Sequence, residues 1–151
     1  MTAVPRMAIT PSEPGALVRL LHRPAPRTNF DLLLEEITTG HAVFSTHISP
    51  SRGFTDTLES QRLCYTLLDL SLAAAVQSTL LPGDSYGVLE FRVHQVQSDL
   101  PLLRRVHCVG DTVTRHGRLT TANGRVVDAA GRVRAYAWLV ARVNADSFSR
   151  S

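Results

Sequence analysis

Asp69 is the residue whose surroundings call for chemistry. It stands alone as a carboxylate inside "RLCYTLLDLSLAAAVQSTLL", residues 62–81, the most apolar stretch of the chain. An isolated carboxylate in apolar surroundings costs several kcal/mol or has its pKa driven upward. If the stretch is helical, the neighbours of Asp69 one turn away are Tyr65, Thr66, Leu72 and Ala73, and Arg62 lies two turns back. Two readings are open. In one, Asp69 is satisfied by hydroxyls, by backbone or by Arg62. In the other, it is a carboxylate at a pocket or subunit interface that acts as general base or nucleophile.

Other residues of catalytic type lack the spacing that chemistry needs. "GDSYG" at 83–87 matches G-x-S-x-G by letters, but a nucleophile elbow needs a strand before the serine and a helix after it. Here the pattern is reversed, so Ser85 reads as part of a polar helix-to-strand turn. The six histidines (His22, His41, His47, His94, His107 and His116) show no metal-ligand spacing, and no metal is expected. Most fall where a strand surface or a turn exposes them. Cys64 and Cys108 are far apart and outside any CxxC, which predicts two buried, reduced thiols and a cytoplasmic location. "TRHGR" at 114–118 sets Arg115 and Arg118 on a tight turn, either a solvated hairpin tip or a grip for phosphates.

The elements that must position Asp69 follow from punctuation and periodicity. Five prolines (Pro5, Pro11, Pro14, Pro24 and Pro26) mark residues 1–29 as an irregular arm with one short helix at 16–22. "FDLLLEEITTGHAVFSTHI" predicts two strands around a Thr-Thr-Gly turn, the second alternating as Ala42, Phe44, Thr46 and Ile48. Asp56 with Glu59 forms a capping box that opens a helix of about 24 residues, roughly 36 Å long, closed by Leu81-Pro82-Gly83. That helix is apolar nearly all round from Leu63 to Val76, so other structure must wrap it. Four strands follow. "YGVLEFRVHQV" alternates Val88, Glu90, Arg92 and His94 against Leu89, Phe91, Val93 and Gln95. "LRRVHCVGDTVTR", "RLTTANGRVVD" and "RVRAYAWLVARV" are divided by "HG" and "DAAG" turns. Asn123-Gly124 is a hairpin signal in mid-strand and predicts a bulge or bend there. Strand, strand, long buried helix and four strands is an α+β order, a helix inside one curved antiparallel sheet. Residues 30–143 form a single domain, and 144–151 a flexible tail.

Composition excludes several classes. With 151 residues, 44% hydrophobic and 19% charged, the chain is globular and should bury roughly 70% of its unfolded surface. The formal charge is +3 and every basic residue is arginine. These arginines are scattered, with only Arg104 and Arg105 adjacent, so no nucleic-acid stripe runs along the chain and no nucleic-acid partner is expected. The N-terminus has no signal-type apolar run, and Asp69 interrupts the apolar stretch well short of a membrane span.

Strand-strand-helix followed by further strands resembles the hotdog fold. The sequence is similar to the phenylacetate-degradation (PaaI-like) branch of the 4-hydroxybenzoyl-CoA thioesterase superfamily. "SQRLCYTLLDLSLAAA" lies where that branch has "HGG…TLxD". "GVLEFRVHQV" resembles its third strand, and "VGDTVTRHGRLTTANGRVVDAAGRVRAYA" its closing strands, over residues 30–143. The resemblance implies acyl-CoA thioester hydrolysis at a site shared by two subunits, with CoA as part of the substrate and no other cofactor. Asp69 would activate water, and the backbone N–H at Arg62, beside Gln61, would polarise the thioester carbonyl. Phe54, Tyr65 and Val88 would line the substrate site, and Arg115, His116, Gly117 and Arg118 would meet the CoA nucleotide. Ser60, Gln61 and Arg62 replace the His-Gly-Gly, which also motivates a second reading, a non-catalytic hotdog module that binds acyl-CoA or a partner protein. Either version is expected to be a homodimer or a dimer of dimers.

Overall fold

The computed structural model describes residues 32–48, 57–96, 102 and 104–145. The elements are β1 (Leu32–Thr38), β2 (His41–Ile48), α1 (Thr57–Gln77), β3 (Ser85–Gln95), β4 (Arg104–His116), β5 (Leu119–Val127) and β6 (Val133–Asn144). The strands form one antiparallel sheet in the order β1-β2-β4-β5-β6-β3, with α1 on one face. The arm at 1–29, its short helix, Asp56 and residues 146–151 of the expected tail lie outside the described residues, while Asn144, the first residue of that tail, closes β6.

One helix touches all six strands. Six strands laid flat would span about 24 Å, twice the width of a helix with its side chains, so the sheet must curl around α1. The alternation seen in the sequence supplies the lining: Ala42, Phe44, Thr46 and Ile48 of β2 are all buried. On β6, Ala135, Ala137, Leu139, Ala141 and Val143 are buried against the helix side.

The closest approach is made where side chains are smallest. Ala42 pairs with Gly110, Gly110 with Gly124, and Gly124 with Ala137, a row of four small residues across β2, β4, β5 and β6. A Cβ on Gly110 would lie 2.6 Å from the Ser71 carbonyl oxygen and 2.7 Å from its carbon. One on Gly124 would meet the Val109 oxygen at 2.9 Å and the Leu68 and Leu72 methyls at 3.3 Å. The Asn123-Gly124 pair is therefore neither a bulge nor a bend. The register runs through it unbroken, and its glycine makes room for the helix. The irregularities fall elsewhere, at Glu35 in β1, Leu89 in β3, Val113 in β4 and Arg134 in β6.

The helix is also shorter than its apolar run. It spans 21 residues and ends at Gln77, not Leu81. Ser78 Oγ donates to Ala75 O and Thr79 Oγ1 to Val76 O, both at 2.7 Å, which draws the chain out of the helical path. Ser78 Oγ in turn accepts from Gly40 N at 2.7 Å, so the β1–β2 turn closes on the helix end. Gly40 has φ 77°, a conformation that favours glycine.

The "DAAG" turn is fixed by one carboxylate. Asp128 Oδ1 accepts from the N–H groups of Ala130 and Arg132, and Oδ2 from Arg132 Nε at 3.0 Å and Arg134 Nη1 at 3.4 Å. Burial alone would raise this carboxyl; the hydrogen bonds from Arg132 and Ala130 outweigh it and hold the group below its ordinary range. A depressed carboxylate contributes stability that is complete above its unfolded pKa and is lost on acidification.

Two tests follow from this packing. Gly110→Ala should lower the unfolding free energy by about 1–3 kcal/mol, read as a lower urea midpoint at unchanged slope. Wild-type stability should fall as the pH drops below about 4. Asp128→Asn should lose the part of that dependence due to this carboxyl, measured by urea titrations at stepped pH.

Candidate active site

Most of α1 is sealed. From Leu70 to Val76 every residue is buried. The first half carries an accessible strip instead: Leu58, Arg62, Tyr65 and Asp69, spaced three or four residues apart and so on one helical face, with Thr66 beside them. Asp69 is the last of them and is half-buried. The strip faces β3. Tyr65 and Phe91 rings meet edge-on at 5.1 Å between centroids, and Gln95 Nε2 donates to Gln61 O at 3.5 Å. Gln61 thus lies level with Gln95 and Tyr65 with Phe91, which sets Asp69, one turn further on, towards the Tyr86–Val88 end of β3.

Among the described residues β3 is an edge strand, and one side of its backbone has no strand partner. The bulge at Leu89 changes which face its side chains occupy. Val88 pairs with Ala141 and Phe91 with Leu139, both on the helix side, whereas Glu90, Arg92 and His94 point to the opposite face. Val88 therefore keeps company with Phe91 and not with Glu90, as unbroken alternation predicted; the extra residue shifts the phase by one. Val88 and Leu89 are 52% and 60% exposed, an apolar rim beside the strip.

Asp69, Tyr65, Arg62, Gln61 and Val88 are thus gathered along one seam, between α1 and the β3 edge. Arg62 is exposed, and no ion pair of the described residues joins it to Asp69. Its backbone N–H is the sixth of α1 and lies inside the helical ladder; the N–H groups outside the ladder belong to the opening turn before Gln61. That turn is about 15 Å along the axis from Asp69. One copy of the helix cannot bring both to the same thioester.

The remaining predicted residues lie apart. Arg115, His116, Gly117 and Arg118 form the exposed β4–β5 turn, two strands across from β3 but level with its Gly87 through Arg142, and Arg118 O accepts from Val143 N at 2.7 Å. Arg115 lines a cleft of about 140 Å3 with Thr79, Thr112, Val113, Thr114 and Thr120, near the C-terminal end of α1. Phe54 lies outside the described residues. Ser85 opens β3 after a turn, with no helix behind it.

A polar network absent from the sequence reading occupies the face of the sheet away from α1. His41 Nδ1 lies 2.5 Å from Asp111 Oδ1 and its Nε2 3.5 Å from Glu36 Oε1, linking β1, β2 and β4. Glu35 meets Arg105 and His107 beside it. These partners are up to 70 residues apart, so only strand register reveals them. Among the described residues, no group of three or more His, Cys, Asp or Glu is arranged to hold a metal ion, and no helix is long and apolar enough to cross a membrane.

No protein-family profile matches the sequence, and no curated protein does. Solved structures match well. A hypothetical thioesterase protein from Streptococcus pneumoniae TIGR4, crystallised with coenzyme A, superposes with a TM-score of 0.62 at 18% identity, over 77% of this chain and 88% of its own. The PaaI protein of the E. coli phenylacetic acid degradation operon gives 0.61 at 11% identity, over 76% and 80%. A point mutant of the phenylacetic acid degradation protein PaaI from Thermus thermophilus gives 0.59 at 22% identity, over 74% and 91%. The chain has the hotdog fold. At these identities the likeness is one of fold, and the seam along α1 and β3 is this hotdog domain's own arrangement of side chains.

Both thiols are structural in this hotdog core. Burial pushes Cys64 up to about 11 and Cys108 to about 12. A thiol held this high stays protonated and unreactive near neutrality. An aromatic disulfide reagent at pH 8 should therefore find no thiol in the native protein and two after unfolding in guanidinium.

Proposed function

We propose that the chain is an acyl-CoA thioesterase whose site is completed by a second copy. The observation that carries this reading is the accessible strip of α1: it ends on a half-buried carboxylate and runs beside an unpaired sheet edge with an apolar rim. Asp69 acts as general base toward a water molecule, which attacks the thioester carbonyl. The oxyanion that forms is met by N–H donors at the opening turn of α1 in the other copy, where the helix dipole is positive. Arg62 and Gln61 stand next to those donors, and the Arg62 guanidinium adds a mobile positive charge. Tyr65, Phe91 and Val88 exclude water from the acyl group.

Two-fold pairing of β3 edges explains why the parts are so far apart within one chain. Antiparallel edges bring two α1 helices side by side in opposite directions, so the opening turn of one faces Asp69 of the other. The same pairing extends the ladder and covers Val88 and Leu89. Coenzyme A bound by the Streptococcus pneumoniae protein supports CoA as the leaving group here. Arg115, beside its cleft, and Arg118 are the candidates for its phosphates. A cytoplasmic enzyme that needs no cofactor beyond the CoA of its substrate fits this chemistry.

The replacement of His-Gly-Gly by Ser60-Gln61-Arg62 favours the second reading, a hotdog module that binds acyl-CoA without turnover. Ser60 is buried and leaves no open glycine surface for a substrate to approach.

The decisive measurement is thiol release from a panel of acyl-CoAs. Wild type should turn over at least one of them, and Asp69→Ala should lose about 10²–10⁴-fold in kcat. Mixing Asp69→Ala with Arg62→Glu subunits should restore activity that neither has alone, because one of the two sites in a mixed dimer is intact. Equal slow background from wild type and Asp69→Ala would sink the enzyme. A thermal shift with CoA and no thiol release would instead establish the binding module.

A further inference from the structure

The face of the sheet away from α1 carries exposed aromatic rings and arginines that the thioesterase reading does not use. On β6, Tyr136 and Trp138 alternate with buried Ala135, Ala137 and Leu139, and so both point outward, 47% and 39% exposed. They are two residues apart on one strand, about 6.6 Å. Strand register sets a polar partner on each side of each ring. Tyr136 lies between Arg125 of β5 and His94 of β3, and Trp138 between Asn123 of β5 and Arg92 of β3. The His94 and Tyr136 rings stack at 5.0 Å and 16°. Arg142 continues the outward row of β6 beyond Trp138 and Val140.

The charge on this patch is positive and partly uncompensated. Glu90 is taken up by Arg92 at 2.9 Å, and Asp111 by His41. Arg125 and Arg142 are exposed and have no carboxylate partner among the described residues. Flat rings flanked by guanidinium groups match a ligand that is planar and aromatic in one part and anionic in another. A duplex hides its base faces within the stack, whereas a single strand offers them.

We propose that this outer face binds single-stranded nucleic acid, with Trp138 stacking a base beside the His94–Tyr136 pair and Arg125 and Arg142 meeting phosphates. The arginines are far apart in the sequence, which argued against a basic stripe along the chain; the antiparallel register collects them on one surface. The face is opposite the seam that holds Asp69, so binding there leaves the seam open.

Trp138 is the only tryptophan of the chain, and its fluorescence reports the site directly. The protein is titrated with labelled oligo-dT and oligo-U at about 50 mM salt and above, and both quenching and probe anisotropy are followed. Quenching with saturable binding is expected, the logarithm of affinity falling with that of salt at a slope of about −1.4 for two phosphate contacts. The oligo-dT and oligo-U arms distinguish DNA from RNA. Trp138→Ala should weaken binding on the order of tenfold, and Trp138→Phe should retain most of it. Arg125→Ala should reduce the salt slope by about 0.7. Unchanged binding by Trp138→Ala overturns the proposal, as does equal quenching by duplex DNA or polyglutamate. No quenching by either oligonucleotide also overturns it. So does a wild-type particle that is larger than that of Trp138→Ala and binds neither oligonucleotide, which would place a second copy on this face.

Discussion

Ala42, Gly110, Gly124 and Ala137 form a row across four strands that offers almost no side chain to the helix above it. Backbone meets backbone there, with Ser71 held over Gly110. The depth at which α1 sits fixes the curl of the sheet, because one helix must satisfy six strands at once. The same depth decides which helical residues reach solvent. A larger residue in the row would lift α1 and change the opening between its exposed strip and β3.

That opening makes Asp69 unlike the rest of its stretch. Leu70 to Val76 are all buried, so the apolar texture of the second half is simply core. In the first half the helix passes the edge of the sheet, where no further strand of the described residues lies beyond β3. Asp69 stands at the boundary between the two regimes, half-buried and with access to water. General-base chemistry requires that combination of partial desolvation and access. Helical rise separates Asp69 from the donors of its own opening turn, which is why the proposed thioesterase site calls on a second copy.

The two faces of the sheet follow different rules. The inner face is built from Ala, Gly, Leu and Val and is constrained by α1. The outer face has only its own cross-strand pairs to satisfy, and it divides into two regions. Around β1, β2 and β4 the carboxylates Glu35, Glu36 and Asp111 are matched by Arg105, His107 and His41. Around β5, β6 and β3 arginines exceed carboxylates and aromatic rings stand exposed. An uncompensated cationic and aromatic surface differs in kind from the scattered single apolar residues that every protein exposes.

Local and periodic features were legible without any coordinates. The period-two burial of β2, the turn at Gly40, the "HG" and "DAAG" turns and the long apolar helix all follow from rules acting within a few residues. The oddity of Asp69 was visible for the same reason. Features that depend on partners far away in the chain were not. Asn123-Gly124 carries the letters of a turn, but the helix above Gly124 requires the missing Cβ. The bulge at Leu89 moves Val88 to the helix side, and sequence alternation carries no mark of an inserted residue. His41 and Asp111, Arg125 and Tyr136, and Arg92 and Trp138 become neighbours only through register. By itself, the sequence determined the elements and the presence of a charge in the helix. The tertiary structure decided that the charge lies at an open edge, because solvent access depends on which strands surround a helix and not on the residues within it.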